Sequence, residues 1–338
     1  MRALVYEGEW QMPLREVKPP VPGDNDVIVQ VKAAGICGSD VHGYAGITGR
    51  RTPPIVMGHE FGGVISEIGA RVADYAPGDR VVIQPLWTCG KCESCTSGVP
   101  SLCLNRSGIG INTDGAFADA VRVPHQLLRR LPAEMTWEQA AMIEPLAVAM
   151  RAVNRSPIKL MDTVVIVGAG TIGLLALTMA KLKGAGQVII SDLSTHRLEL
   201  AKQLGADMAV NVKEQDVVQI VRAQTDGVGA SIVIEAVGAS ATVRQALSVV
   251  RSGGHITWIG NSQPEVALNM QTIVTREITV TGTYCYNDEF ERALQAIHTQ
   301  RVNVAPLIER VAPLEEGPQL IHDLAKGTLE AVKVILVP

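Results

Sequence analysis

Four cysteines, Cys89, Cys92, Cys95 and Cys103, stand at the spacing C-x2-C-x2-C-x7-C in a loop that also holds Gly, Ser and Lys. Thiolates so close in sequence can close around one tetrahedral Zn²⁺ and leave no position for water, which makes such a site structural; an iron–sulfur cluster is the other user of these ligands. A second pattern points to phosphate. The apolar run Val164-Val165-Ile166-Val167 leads into Gly168-Ala169-Gly170-Thr171-Ile172-Gly173 and then into an apolar stretch. Between a strand and a helix, Gly168 permits the tight turn and Gly170 lets the backbone approach a pyrophosphate. Gly173 lets helix and strand pack closely, and the helix N-terminus offers amide donors to the anion. A second apolar strand ends at Asp192, 19 residues after Gly173. A carboxylate there accepts both hydroxyls of an adenosine ribose and repels a 2′-phosphate, so NAD is expected over NADP, with Arg197 flanking the adenine pocket.

The elements that must hold these residues fall into two textures. From Met1 to about residue 148 the chain reads as short alternating strands punctuated by Gly and Pro, such as Val27 to Val31, Val64 to Ile68 and Arg80 to Ile83, a β-rich, partly barrel-like module. From about Asp162, apolar strands alternate with helices: Val164 to Val167, Gln187 to Ser191, Ser231 to Glu235, His255 to Ile259 and Glu277 to Thr281. That alternation predicts a doubly wound parallel sheet. Helices follow at Asp288 to Thr299 and Pro313 to Lys326, then a last strand, Val332 to Val337. A chain of 338 residues is expected to form two domains. At 47% hydrophobic and 19% charged residues it reads as globular, not disordered. The net charge of −4, with Lys and Arg scattered, excludes the basic stripe of a nucleic-acid binder. Val164 to Ala180 is apolar but interrupted by Gly168, Gly170 and Gly173, so strand, turn and helix explain it better than a membrane span. The N-terminus carries acidic residues and no apolar signal region, and clustered cysteines favour metal over disulfides, so a reducing, cytoplasmic setting is expected.

Two further segments precede the cysteine loop: Gly35-Ile36-Cys37-Gly38-Ser39-Asp40-Val41-His42, and Met57-Gly58-His59-Glu60 running into Phe61-Gly62-Gly63. With the four-cysteine lobe, the nucleotide pattern and the closing strand in the same order, the chain resembles, over nearly its whole length, the zinc-containing alcohol dehydrogenases of the medium-chain dehydrogenase/reductase family. The resemblance implies an α/β protein: a GroES-like β-rich catalytic domain over 1–148 with a structural zinc lobe at 86–106, a doubly wound Rossmann NAD-binding domain over 149–286, and a return to the catalytic domain over 287–338. It implies two zinc ions per chain. Cys37 and His59 are direct ligands of the catalytic one, Glu144 is the third main position, and Glu60 is an alternative or water-bridged ligand. Asp40 is similar to the family acid that orients the metal-bound imidazole. Ser39 and His42 are implied as a proton relay. The cofactor-binding set comprises Gly168, Gly170, Ile172, Gly173, Asp192, Arg197, Val237 and Ile259.

The segment Glu144-Pro145-Leu146 is similar to the sorbitol, butanediol and galactitol-phosphate dehydrogenase branch, and threonine dehydrogenases carry a similar carboxylate. The expected reaction is therefore oxidation of a secondary alcohol of a polyol to a ketose. Zinc would lower the pKa of the substrate hydroxyl while hydride passes to the nicotinamide. Threonine, butanediol or a sugar-alcohol phosphate is the alternative substrate, and a non-catalytic zinc-stabilised NAD-binding protein is the alternative class. Arg50-Arg51, between the two ligand segments, reads as a solvated loop or subunit contact, with an anionic substrate end as the other possibility. The partner set is a small-molecule polyol, with no nucleic acid and no membrane, and the resemblance implies a homodimer or homotetramer.

Overall fold

The computed structural model describes residues 1–338, which fold as two compact units, Met1–Glu144 with Phe290–Pro338, and Pro145–Glu289. In the first unit the strand Asp26–Gly35 is the spine. It pairs antiparallel with Glu60–Ile68 along its length, with Ala120–Pro124 through its first half and with Lys333–Val337 through its end. The sheet runs Leu128–Arg130, Arg80–Ile83, Glu60–Ile68, Asp26–Gly35, Lys333–Val337, Ile308–Pro313. The spine alternates only in its middle, where Val29 and Val31 are buried and Gln30 is exposed; Val27 and Ile28 before it and Ala33 to Gly35 after it are buried in succession. Behind them lies a core built from Leu4, Phe61, Ile65, Ile83, Phe117 and Leu128. The parallel pair Ile308–Pro313 and Lys333–Val337 is joined by the helix Gly317–Lys326, a crossover that parallel strands require. The last strand is thereby brought against the end of the spine, with Ile335 opposite Gly35.

The second unit holds six parallel strands in the order Met208–Asn211, Gln187–Asp192, Thr163–Val167, Ala230–Glu235, Val250–Trp258, Thr279–Gly282. Near-continuous β-branched runs such as Val164 to Val167 are buried on both faces, as a helix-covered parallel sheet demands. The chain reverses its direction of growth between Thr163–Val167 and Ala230–Glu235, so the carboxyl ends of these two strands flank the switch point where such sheets bind ligands. Sequence periodicity names five of the six strands. The sixth, Met208–Asn211, is a four-residue edge strand in which only Val210 and Asn211 are buried, too short and too polar for alternation to reveal. No helix is long and apolar enough to cross a membrane.

Candidate functional site

In the first unit, a short helix, Gly38–Tyr44, follows the spine strand directly. Cys37 caps it: its Sγ accepts from the Ser39 amide at 3.4 Å, and Asp40 returns the favour by accepting from the Cys37 amide at 3.2 Å. This reciprocal cap fixes Cys37 at the mouth of the helix and turns Asp40 inward, where it is fully buried. Ser39 and His42 sit one turn apart on the same helix, and burial pushes the His42 imidazole down, favouring its neutral form. The second segment enters through Gly58, whose φ of +98° is left-handed and suits a glycine; His59 follows and Glu60 starts the next strand, both side chains buried.

These two segments bring one thiol, one imidazole and one carboxylate together: the ligand atoms of Cys37, His59 and Glu60 lie within 4.8 Å of one another. His59 Nδ1 is 3.3 Å from Asp40 Oδ1, which leaves the other ring nitrogen for a ligand. Burial alone would push His59 down, but the Asp40 carboxylate and the Cys37 sulfur raise it well above its usual value. Burial likewise would raise Asp40, yet His59, Arg51 and the Cys37 amide hold it low. Anions that favour charge on a buried imidazole also favour a divalent cation, and a sulfur, nitrogen and oxygen donor set is what Zn²⁺ takes in sites that keep one position open. Chemistry and spacing therefore fit zinc.

Glu60 has a second partner that sequence reasoning missed. Lys333 Nζ lies 2.6 Å from Glu60 Oε2 and donates to Ile36 O at 3.1 Å, with both side chains 1% exposed. The glutamate side chain crosses directly over Gly35, its strand partner, where a methyl group would come within 2.5 Å of Glu60 Oε2. Burial works to lower the Lys333 amine, but Glu60, Cys37 and Glu144 outweigh it and raise it. Glu144 is buried in the first turn of the helix Ile143–Arg155 and its charge reaches Lys333, but the three-donor cluster does not include it. Arg50 is exposed, whereas Arg51 is buried and bound to Asp40, so the pair does not act as one solvated loop.

The four lobe cysteines form the second donor group, also within 4.8 Å. Their sulfurs are separated by 3.5 Å (Cys92 to Cys95), 3.6 Å (Cys89 to Cys103) and 4.0 Å (Cys89 to Cys95). A tetrahedral site with Zn–S bonds near 2.3 Å puts its sulfurs about 3.8 Å apart, so this group fits as it stands. Amides of Lys91 and Cys92 pull the Cys89 thiol down to about 6, whereas Cys92, despite the Cys95 amide, is pushed up to about 11 by the Cys95 sulfur and burial, so the close sulfurs share protons that a metal would displace.

In the second unit, Gly168 turns at φ +100° at the end of its strand, with the Val237 side chain lying over it. Gly170 caps the helix Thr171–Lys183, and Ile172 and Gly173 fall in its first turn. Asp192 ends its strand with both carboxylate oxygens bonded to backbone: Oδ2 accepts from the Ala169 amide at 2.6 Å, and Oδ1 accepts from Leu193 and Ser194 at 2.8 and 2.9 Å. Arg197 lies on the helix Thr195–Gln203 that follows, and its buried Nε makes no hydrogen bond. Across the switch point, the fully buried Glu235 accepts from the Val237 and Gly238 amides at 3.0 and 2.7 Å, and its carbonyl receives the Ile259 amide at 2.9 Å. Glu235 thus shapes the loops that carry Val237 and Ile259, a role the sequence reading did not include.

Fold and site together define a two-unit dehydrogenase, and comparison with known proteins says which. Residues 23–133 match the alcohol dehydrogenase GroES-like domain and residues 171–299 match the zinc-binding dehydrogenase domain. A sorbitol dehydrogenase from Halalkalibacterium halodurans is 38% identical, covering 100% of this chain and 99% of the relative. A D-arabitol-phosphate dehydrogenase from Enterococcus avium is 34% identical over 96% of this chain and 94% of its own. Among solved structures, a zinc-binding dehydrogenase from Sinorhizobium meliloti bound to NADP superposes with a TM-score of 0.93 at 35% identity, covering 100% and 99% of the two chains. The chain belongs to the zinc-containing alcohol dehydrogenase family, in its polyol-dehydrogenase-like branch, and is an oxidoreductase.

Proposed function

We propose that this enzyme transfers hydride from a secondary alcohol of a polyol to NAD, giving a ketose. The observation that carries the reading is the cluster of half-buried Cys37 with buried His59 and Glu60, beside a helix that presents Ser39 and His42. Cys37 and His59 hold a catalytic zinc with a carboxylate as third ligand: Glu60 is the one in the donor cluster, and Glu144, whose charge is felt at Lys333, is the other candidate. Zinc, when bound, supplies the Lewis acidity that makes an alcohol hydroxyl acidic at neutral pH. Asp40 orients the His59 ring, Ser39 accepts the substrate proton, and neutral His42 passes it on. Cys89, Cys92, Cys95 and Cys103 hold a second, structural zinc.

The unit Pro145–Glu289 serves as the nucleotide-binding domain, with Gly168, Gly170, Ile172, Gly173, Asp192, Arg197, Val237 and Ile259 around the cofactor. The Asp192 carboxylate supports NAD, because a 2′-phosphate beside it would meet like charge. A phosphorylated polyol, the substrate in the name of the Enterococcus relative, is the second reading, and it keeps only Arg50, since Arg51 is spent on Asp40.

The test is NAD and NADP reduction by enzyme of measured zinc content across sorbitol, galactitol, altritol, threitol, butanediol, threonine and sugar-alcohol phosphates. A polyol oxidised with NAD preferred supports the reading. Preference for threonine or a phosphate ester replaces the substrate, preference for NADP overturns the role of Asp192, and no turnover by enzyme carrying two zinc ions removes the catalytic assignment.

A further inference from the structure

The helix Gly38–Tyr44 is followed by a loop whose arginine behaves unlike a loop residue. The Arg51 side chain is 2% exposed, although burying a guanidinium is costly unless it is paired. Its Nη2 donates to Asp40 Oδ1 at 2.8 Å and to Ser39 Oγ at 3.3 Å. The stem runs along the helix at Gly43, where an added methyl would sit 3.0 Å from Arg51 Cδ and 3.3 Å from its Nε. A larger residue at that position would push the guanidinium off both acceptors.

Asp40 is the hub of this arrangement. Its Oδ2 accepts from the Cys37 amide at 3.2 Å, while its Oδ1 faces both His59 Nδ1 at 3.3 Å and Arg51 at 2.8 Å. One carboxylate therefore spans the backbone of one metal-donor residue and the ring of another, and Arg51 is the cation that fixes it. We propose that Arg51 is a positioning residue with two tasks: it locks Asp40 so that Cys37 and His59 keep their spacing, and it occupies an acceptor site on Ser39 Oγ so that the hydroxyl proton points away from the guanidinium. The proposal rests on the reading of Cys37 and His59 as metal ligands and of Ser39 as the proton relay. Both contacts are made by one nitrogen, Nη2, so lysine keeps a positive charge opposite Asp40 for the first task, but its stem is roughly one bond shorter and its ammonium stops short of Ser39 Oγ, the more distant acceptor.

The test uses the holoenzyme and the variants R51M, R51K and C37S. Three readouts are taken: release of zinc to a chelator, the visible spectrum after cobalt replacement, and kcat and KM on the best substrate of the panel above. R51M should lose one of its two metals about 10 to 100 times faster than wild type and shift the cobalt spectrum, while the four-cysteine metal stays. R51K should restore slow release yet keep kcat lowered about tenfold at unchanged KM. Wild-type release and spectrum in R51M, or wild-type kcat in R51K, overturns the proposal. Should R51M fail to fold, R51K decides alone by the same kcat criterion. C37S separates the two levels of argument. If C37S keeps both metals, the ligand reading itself has failed; if C37S loses one and R51M does not, only the role of Arg51 falls.

Discussion

Replacing Gly173 by alanine tests whether the glycine loop is built for close packing. Gly173 lies in the first turn of the helix Thr171–Lys183, and a methyl group on it would come within 1.9 Å of Gly168 O and 2.9 Å of Gly168 C. Side-chain carbons do not approach closer than 3.0 Å, so the helix start must move about 1.1 Å from the end of strand Thr163–Val167. In an exposed helix, Gly→Ala would stabilise by about 1 kcal/mol. Overpacking costs about 1–3 kcal/mol, and an unyielding backbone carbonyl puts this site at the upper end. The net expectation is a loss of about 2 kcal/mol, a fall in Tm of about 4–8 °C. Displaced amide donors weaken the cofactor as well, on the order of tenfold, as NADH fluorescence titration would show. Gly170 is the control. It has φ −74° and no atom within 4 Å of an added methyl, so G170A should keep its Tm and lose only NADH affinity, because the methyl occupies the pyrophosphate approach. A G173A protein that melts like wild type refutes the packing argument. A G170A protein that binds NADH like wild type removes the pyrophosphate from this loop.

Cys103→Ser should reduce bound zinc from two ions to one and lower Tm, since metal free energy in a closed thiolate site is folding free energy; two ions retained on metal analysis would show that the lobe does not depend on this sulfur. In metal-free protein, Lys333→Met leaves Glu60 as an uncompensated buried charge and should cost about 3–5 kcal/mol in urea unfolding, much of it recovered by the added change E60Q. Equal stability of the single and double variants would mean that the pair is not coupled. Burial alone would raise Asp119, but bonds from the Arg2 side chain and amide hold it below its usual range. A depressed carboxylate stabilises above its unfolded pKa and loses that contribution as pH falls through the folded one. D119N should thus be less stable than wild type by about 1 kcal/mol at neutral pH, a figure kept small because both side chains are about one-third exposed, and equal to it in strong acid. A gap that persists in acid would contradict the linkage.

What sequence made legible is what is local. The four cysteines span one loop, the glycine pattern spans one turn, and strand and helix periods mark the parallel sheet, so each can be read from short-range spacing. Contacts that join distant segments left fainter marks. Arg51 reads as a solvated loop residue because nothing in its neighbourhood reveals that Gly43 leaves a path for its stem. Glu60 reads as a spare ligand because its partner lies 273 positions away. A signal for that pair was nonetheless present. Lys333 opens the strand Lys333–Val337, whose Val334, Ile335 and Leu336 are fully apolar and buried, and a lysine in such a strand requires a buried acid.

The same pair gives a physical reason for the family's closing strand to return to the first unit. Cys37, Glu60 and Glu144 place up to three negative charges around the donor cluster, against the two positive charges of a zinc ion. Lys333 brings a positive charge to this group from the far end of the chain, and with the proposed zinc bound it would balance the third negative charge once the C-terminal strand has paired with the spine at Gly35. On the proposal that Cys37 and His59 hold zinc, metal retention and docking of the last strand are expected to be coupled. Deleting the terminal strand should release the catalytic metal while the four-cysteine lobe, whose ligands all lie between residues 89 and 103, keeps its own.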